Sequence, residues 1–374
     1  MDAPTTCRGW WNLEWVANPP WPNKSAERRS CVSQPVPLVP GTGYYSGSLH
    51  IRYLVSKMRP PVPYIIGKEI LGHKIDSLLT GKGANCSIFK VADADGHFGN
   101  VLKACKDPYS AVEATRLKRE NEILKILYTP ATSKYFIKPL SDVVVIEGHH
   151  AFLMERAQSD LDAHLATMKA NQEQEREDLF WDVNDAIEKA HELGVAHRDL
   201  HASNILMVQD GARLRAKIGD FGRARSVDLS SSTSVSLPVA FGAYIITPPE
   251  MLFGAIGDNP NIETYKKFDS YALGVIISWI FSGAPTNYFF QLSANISQFV
   301  TSEGHNIQDI PNLDSATRLE LFKKWLRTNP EKLLAKLSIS PQDKVRQDRL
   351  NKLIYGLCSP DPGARMPNAS PLRV

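Results

Sequence analysis

Asp199, Asn204 and Asp220 put a carboxylate, an amide five positions later and a second carboxylate on one short stretch of chain. All three offer hard oxygen atoms. In that order and spacing, with Phe221-Gly222 behind the last, they suit the transfer of a phosphoryl group. Asp199 would accept or orient the proton of an attacking hydroxyl, and Asn204 and Asp220 would hold Mg²⁺ against phosphate oxygens. A lone His-Arg-Asp is common in surface turns, so the reading depends on both pieces occurring together.

The flanking residues predict the elements that position these groups. Ser87 to Asp93 and Phe98 to Ala104 alternate as strands about the turn Asp95-Gly96. A helix is predicted from about Tyr109 to Tyr128, where Leu117, Ile123, Leu124 and Leu127 recur at helical spacing. Val143 to Ile146 and Ala151 to Glu155 read as buried strands. A helix starts at Asp160-Leu161 and runs to Met168. A longer one covers Glu173 to Leu193, with Leu179, Val183, Ile187 and His191 on one side and Gly194 as its stop. Ile205-Leu206-Met207 and Ala216-Lys217-Ile218 bracket a strand pair that leads into Asp220. Tyr271 to Phe281 is apolar enough for a buried helix and too short to span a bilayer.

Composition narrows the function classes. At 374 residues, 43% hydrophobic and 22% charged, the chain is ordinary for a globular protein. A net charge of +3 gives no case for nucleic acid or a membrane surface. Five scattered cysteines (7, 31, 86, 105 and 358) form no CxxC pair, which argues against a zinc site or disulfide framework and fits a reducing, intracellular compartment. No signal peptide is expected, because the first residues lack the charged-then-apolar order. Residues 1–70 differ from the rest, with four of the seven Trp and ten of the 25 Pro. They read as an irregular arm that docks on the body or recruits a partner, since Pro at this density blocks regular structure.

His197-Arg198-Asp199-Leu200 with Asn204, followed by Asp220-Phe221-Gly222, resembles the catalytic loop H-R-D-L-x-x-x-N and the D-F-G turn of the eukaryotic-type protein kinase superfamily. The resemblance runs from Ile75 to about Arg365, roughly three quarters of the chain. It implies an α+β, two-lobed fold within residues 71–374: a small β-rich N-lobe over about 71–156 and a larger helical C-lobe over about 157–374. It also implies ATP and Mg²⁺ as cofactors and a protein substrate. Gly81-Lys82-Gly83-Ala84-Asn85-Cys86-Ser87 is similar to the glycine-rich loop whose backbone covers the phosphates, with Cys86 in place of the third glycine. Lys103 matches the strand lysine that holds the α- and β-phosphates. Lys106 is a competing register, rejected because alternation places Val101, Lys103 and Cys105 on one face. Glu120 matches the helix glutamate that pairs with that lysine. Met154-Glu155-Arg156-Ala157 is similar to the hinge, where Glu155 and Ala157 would meet the adenine edge. Residues 220–250 are similar to an activation segment ending in Pro249-Glu250, Asp269 to the anchor of the catalytic loop, and Arg365 to the arginine that pairs with Glu250.

The departures keep alternatives open. His201 stands where Ser/Thr kinases carry a lysine that touches the γ-phosphate, and Gly242-Ala243 stands where their threonine would fall. An imidazolium at His201 would restore the charge, which predicts a rate that falls as pH rises through its titration. His201 also fits small-molecule kinases of the aminoglycoside or choline type, and Cys86 with His201 fits a pseudokinase scaffold. Pro249-Glu250, Arg365 and the long activation segment favour a protein kinase. Its Ser230–Ser236 run is a candidate for regulatory phosphorylation beside Arg198. Loose motifs and the unusual arm suit a fast-diverging chain such as a viral kinase, acting in the cytoplasm or nucleus of the host cell.

Overall fold

The computed structural model describes residues 65–81, 85–169, 171–227, 247–257, 260–282, 287–334 and 344–373. Most of the proposed arm, the loop residues Lys82, Gly83 and Ala84, the Ser230–Ser236 run and Gly242-Ala243 lie outside the described residues.

The first half of the described chain is a sheet with one helix. β1 (Glu69–Ile70), β2 (His73–Thr80), β3 (Cys86–Ala92) and β4 (Asn100–Cys105) precede helix α1 (Ala111–Leu127), and β5 (Val144–Ile146) and β6 (His149–Glu155) follow it. The strand order is β1-β2-β3-β4-β6-β5, antiparallel throughout. Period-2 alternation divides the side chains between two cores. Ile75, Phe89, Val91, Leu102 and Leu153 form a small cluster of their own. Val101, Cys105, Phe152 and Met154 join the large core that runs on into the helical region. Lys103 alternates with Val101 and Cys105, so it points to the second face, as the sequence predicts.

Residues 65–70 pack with the sheet. Ile65 is buried in the small cluster, Gly67 N donates to Ile75 O at 2.7 Å, and Ile75 N donates to Lys68 O at 2.8 Å. A two-residue strand carries too little periodicity to be read from sequence, so residues 65–70 had no visible signal.

α1 starts at Ser110, whose hydroxyl accepts from Glu113 N at 3.2 Å; such a cap satisfies a backbone donor that the first turn leaves unpaired. After β6 come β7 (Ser159–Asp160), α2 (Leu161–Leu165), α3 (Glu173–Glu192) and β8 (Val195–Ala196). α3 ends as predicted at Gly194, whose φ of 70° is open to glycine without a Cβ penalty. β9 (Ile205–Asp210) pairs with β7 and with β10 (Arg213–Ile218), and β11 (Arg225–Ser226) pairs with β8.

Helices fill the remainder: α4 (Pro249–Leu252), α5 (Ile262–Ser282), α6 (Asn287–Ser302), α7 (Ser315–Leu326), α8 (Glu331–Leu334) and α9 (Lys344–Leu357). α5 is buried around most of its circumference, as its apolar sequence requires. A Cβ at Gly274 would lie 2.3 Å from Cys358 Sγ, so the close approach of α5 to the end of α9 needs glycine there. No helix among the described residues is long and apolar enough to cross a membrane.

Arg365 pins the C-terminal end to α4. Its guanidinium donates to both Glu250 oxygens, at 2.7 and 3.0 Å, and to the carbonyls of Ser359 and Lys267. Both side chains are almost fully buried, so each charge depends on the other for solvation. R365M and E250M should each cost about 3–5 kcal/mol in chemical denaturation, and the double variant should cost less than either single, because it leaves no orphaned charge. A double variant as unstable as the sum of the singles would refute this account.

Candidate active site

The catalytic loop is held from beneath by Asp269. This carboxylate, 1% exposed, accepts from His197 N and Arg198 N at 2.7 Å each and from His191 Nε2 at 2.9 Å. Arg198 has φ of 68°, a left-handed conformation that costs a non-glycine residue roughly 1–2 kcal/mol. The two amide bonds to Asp269 stabilise that turn, and the turn presents Asp199. His197 is fully buried; its Nε2–H donates to Gly219 O at 2.9 Å and its Nδ1 accepts from Asp199 N at 3.2 Å. These two bonds fix the orientation of the ring and tie this loop to the residue preceding Asp220.

Asn204 and Asp220 are placed for a divalent cation. Asn204 Nδ2 donates to Asp199 O at 2.8 Å, which leaves its Oδ1 as the ligand atom. Asp220 has φ of 56° and a side chain that is half exposed. The positive charge of Lys103 is the main cause that lowers the Asp220 pKa below the usual carboxylate range, so the carboxylate is ionised. Among these groups an amide oxygen and an ionised carboxylate are the donor set that Mg²⁺ prefers, so the residues fit the metal.

Lys103 joins the sheet to this centre. Its Nζ lies 2.8 and 2.6 Å from the two Glu120 oxygens and 3.3 Å from Asp220 Oδ1. Burial disfavours the ammonium, but the charges of Asp220 and Glu120 outweigh it and push the Lys103 pKa up. Burial pushes Glu120 up to about 7 against the pull of Lys103. The structure brings together Lys103 and Glu120, the two residues that the sequence reading pairs.

Lys106, the rejected register, does something else. Its backbone N–H donates to Asn85 O at 2.9 Å and its ammonium donates to Gly81 O, so it clasps both described ends of the glycine-rich loop. Cys86 begins β3 directly opposite Cys105 on β4. A hydrogen bond with Cys105, then burial, pushes the Cys86 thiol up. The bulk that replaces a glycine is thus absorbed by contact with the neighbouring strand. Ser87 is buried beside it.

Glu155 is the last residue of β6, and Ala157 lies two residues beyond it. Glu155 N donates to Lys138 O at 3.0 Å, and its carboxylate accepts from Lys217 Nζ at 2.8 and 3.0 Å. The Lys217 contact spans β6 and β10 and had no local sequence signal.

Two further features were missed. Arg223 Nε lies 3.4 Å from Asp199 Oδ2. Arg198, Arg119 and Arg225 come from three separate segments: burial first lowers the pKa of Arg198 and of Arg119, and the charge of Arg225 lowers both further. The Arg198 guanidinium also stacks 4.2 Å from the Tyr265 ring centroid, and its Nε is buried without a hydrogen-bond partner among the described residues. The sequence singled out Arg198 alone, since Arg119 and Arg225 lie far from it along the chain.

His201 needs a correction. Burial lowers its pKa, against the pull of Asp199, with His197 and Arg223 lowering it further. The partial positive charge that a histidine carries near neutral pH is therefore reduced, and the expected loss of rate through its titration moves to lower pH.

With this geometry in hand, comparison with known proteins is direct. The family model described as "Protein kinase domain" matches residues 76–371. The dual specificity protein kinase Ttk of Danio rerio is 25% identical over 69% of this chain and 25% of its own length. The mitogen-activated protein kinase HOG1 of Ustilaginoidea virens is 29% identical over 62% of this chain and 59% of its own length. The testis-specific serine/threonine-protein kinase 1 of Mus musculus is 31% identical over 43% of this chain and 41% of its own. The chain thus spans well under two thirds of the length of these relatives. The match to the family model covers more than half of this chain, and the chain belongs to the protein kinase family.

Proposed function

We propose that this protein transfers the γ-phosphoryl group of ATP to serine or threonine hydroxyls of protein substrates, on a two-lobed fold with the nucleotide between the sheet and the helical region. The observation that carries this reading is the Lys103 ammonium shared between Glu120 and Asp220. A scaffold with no turnover has no need to keep a buried cation, a buried anion and a strained aspartate in mutual contact. Serine/threonine preference is supported by similarity to kinases that carry that name, with the dual specificity Ttk as the exception.

In this mechanism Lys103 holds the α- and β-phosphates, fixed in direction by Glu120. The backbone from Gly81 to Ser87 covers the phosphates, and Glu155 and Ala157 offer main-chain groups to the adenine edge. Asn204 and Asp220 hold Mg²⁺, which when bound neutralises charge on the phosphate oxygens. Asp199 receives the acceptor hydroxyl and orients it in line with the γ-phosphorus. Positioning and charge complementarity supply most of the rate, because a loose transition state needs little covalent assistance. The Arg119, Arg198 and Arg225 group offers charge-assisted bonds to a phosphate on the segment between Asp220 and Glu250.

Transfer from labelled ATP to a generic protein substrate is the first test. D199N and D220N should each lower transfer by orders of magnitude while keeping the wild-type melting temperature. Wild-type activity in purified D220N would sink the assignment.

K103A should abolish ATP-dependent transfer, whereas K106A should act on the loop alone and raise KM for ATP with a smaller change in kcat. Equal losses in both would mean that Lys106 also touches nucleotide.

Glu120 sets a pH limb. An acid whose pKa is raised to about 7 takes up a proton as pH falls through that value, and a neutral carboxyl no longer pairs with Lys103. KM for ATP should therefore rise between pH 8 and pH 6, and E120Q should show a high KM without that limb. A wild-type KM that is flat across this range would contradict it.

A further inference from the structure

Phosphoryl transfer places negative charge next to the Asp199 carboxylate, so a cation is needed beside it. Lys103 is committed to Glu120 and Asp220. Burial lowers the pKa of His201, against the pull of Asp199. Arg223 sits in the short 3-10 turn Phe221–Arg223, with Nε 3.4 Å from Asp199 Oδ2. Its position is well determined by its neighbours: Phe221 is fully buried against His197 and Phe136, and Ala224 N donates to Phe221 O at 3.0 Å. A guanidinium keeps its charge throughout the working pH range and offers several donors in one plane.

We propose that Arg223 is a positioning residue for transfer, supplying a fixed positive charge beside Asp199. One edge of the guanidinium holds Asp199 Oδ2, which leaves Oδ1 directed to the acceptor hydroxyl. Both side chains are partly exposed, 33% for Arg223 and 27% for Asp199, so the pair borders the space an acceptor would enter. The same arrangement accounts for a histidine at position 201. A second full cation there would lie close to Arg223 and be repelled by it, whereas a neutral imidazole is tolerated. The charge has moved from the loop after Asp199 to the turn after Asp220.

This inference rests on the kinase reading, and the test separates the two. Full-length wild type, R223M, R223Q, H201K and R223M/H201K are assayed for Mg-ATP hydrolysis and for transfer to a generic protein substrate, with ATP binding measured directly. R223M should lower kcat by about a hundredfold, as expected for a misplaced reacting group, with KM for ATP unchanged. R223Q gives the same reading should R223M fail to fold. H201K should restore most of the lost rate in the R223M background, since it returns a cation from the other side, and should add little to the wild type. Rescue of this kind does not follow from a purely structural role for Arg223. An R223M or R223Q rate equal to or above wild type, a loss confined to KM, or no rescue by H201K overturns the inference while wild-type activity keeps the kinase reading. A wild type that binds ATP yet neither hydrolyses nor transfers it overturns both.

Discussion

Asp269 is the constraint on which the site depends. It is a buried carboxylate with no formal cation against it, solvated instead by two backbone amides and one imidazole. Those donors are the ones that a left-handed residue at Arg198 turns inward, so the anion and the strained turn stabilise each other. Without the carboxylate, two buried N–H groups would lose their acceptor, and each would cost about 1–3 kcal/mol. Without the turn, the carboxylate would be buried and unsatisfied. The position of Asp199 is thus set by α5, a helix held in the centre of the large core, rather than by the exposed loop that carries it.

The sheet is coupled to this centre by electrostatics rather than by chain connectivity. Lys103 comes from β4, Glu120 from α1 and Asp220 from the turn after β10. One ammonium thus faces two carboxylates from two different elements. Lys217 and Glu155 make a second tie between the sheet and β10. Both ties are ionic and both are largely shielded from water, so they are directional as well as strong.

Most of this was legible in the sequence where a local rule applied. Strict alternation located Lys103 on its face, and β3, β4 and β6 fall within two residues of their expected bounds. Gly194 ends α3 because its backbone angle requires glycine. Contacts between remote segments were not legible: His191 was read as part of an apolar helix face, yet its ring reaches Asp269. Arg223 and Lys217 sit in turns and strands whose sequence gives no hint of a partner far away in the chain. Charge state was not legible either. The type of residue at position 201 suggested a partial charge near neutral pH, and only the burial of the ring shows that its pKa is lowered.

The departures from the family pattern follow a common logic. Cys86 adds bulk where a glycine is usual, and the added atoms meet Cys105 across the strand pair instead of open loop. His201 removes a charge near Asp199, and Arg223 is found beside the same carboxylate. In each case the compensating residue is a spatial neighbour contributed by another element. A sequence can drift at one position when the energetic requirement belongs to a volume of space rather than to a residue number. The buried Lys103, Glu120 and Asp269 have no such freedom. A substitute for any of them would need to deliver charge to the same enclosed point, and every surrounding position is already filled by packed side chains. Departures are therefore expected at the rim of this site, where Cys86, His201 and Arg223 lie, before they are expected at its centre.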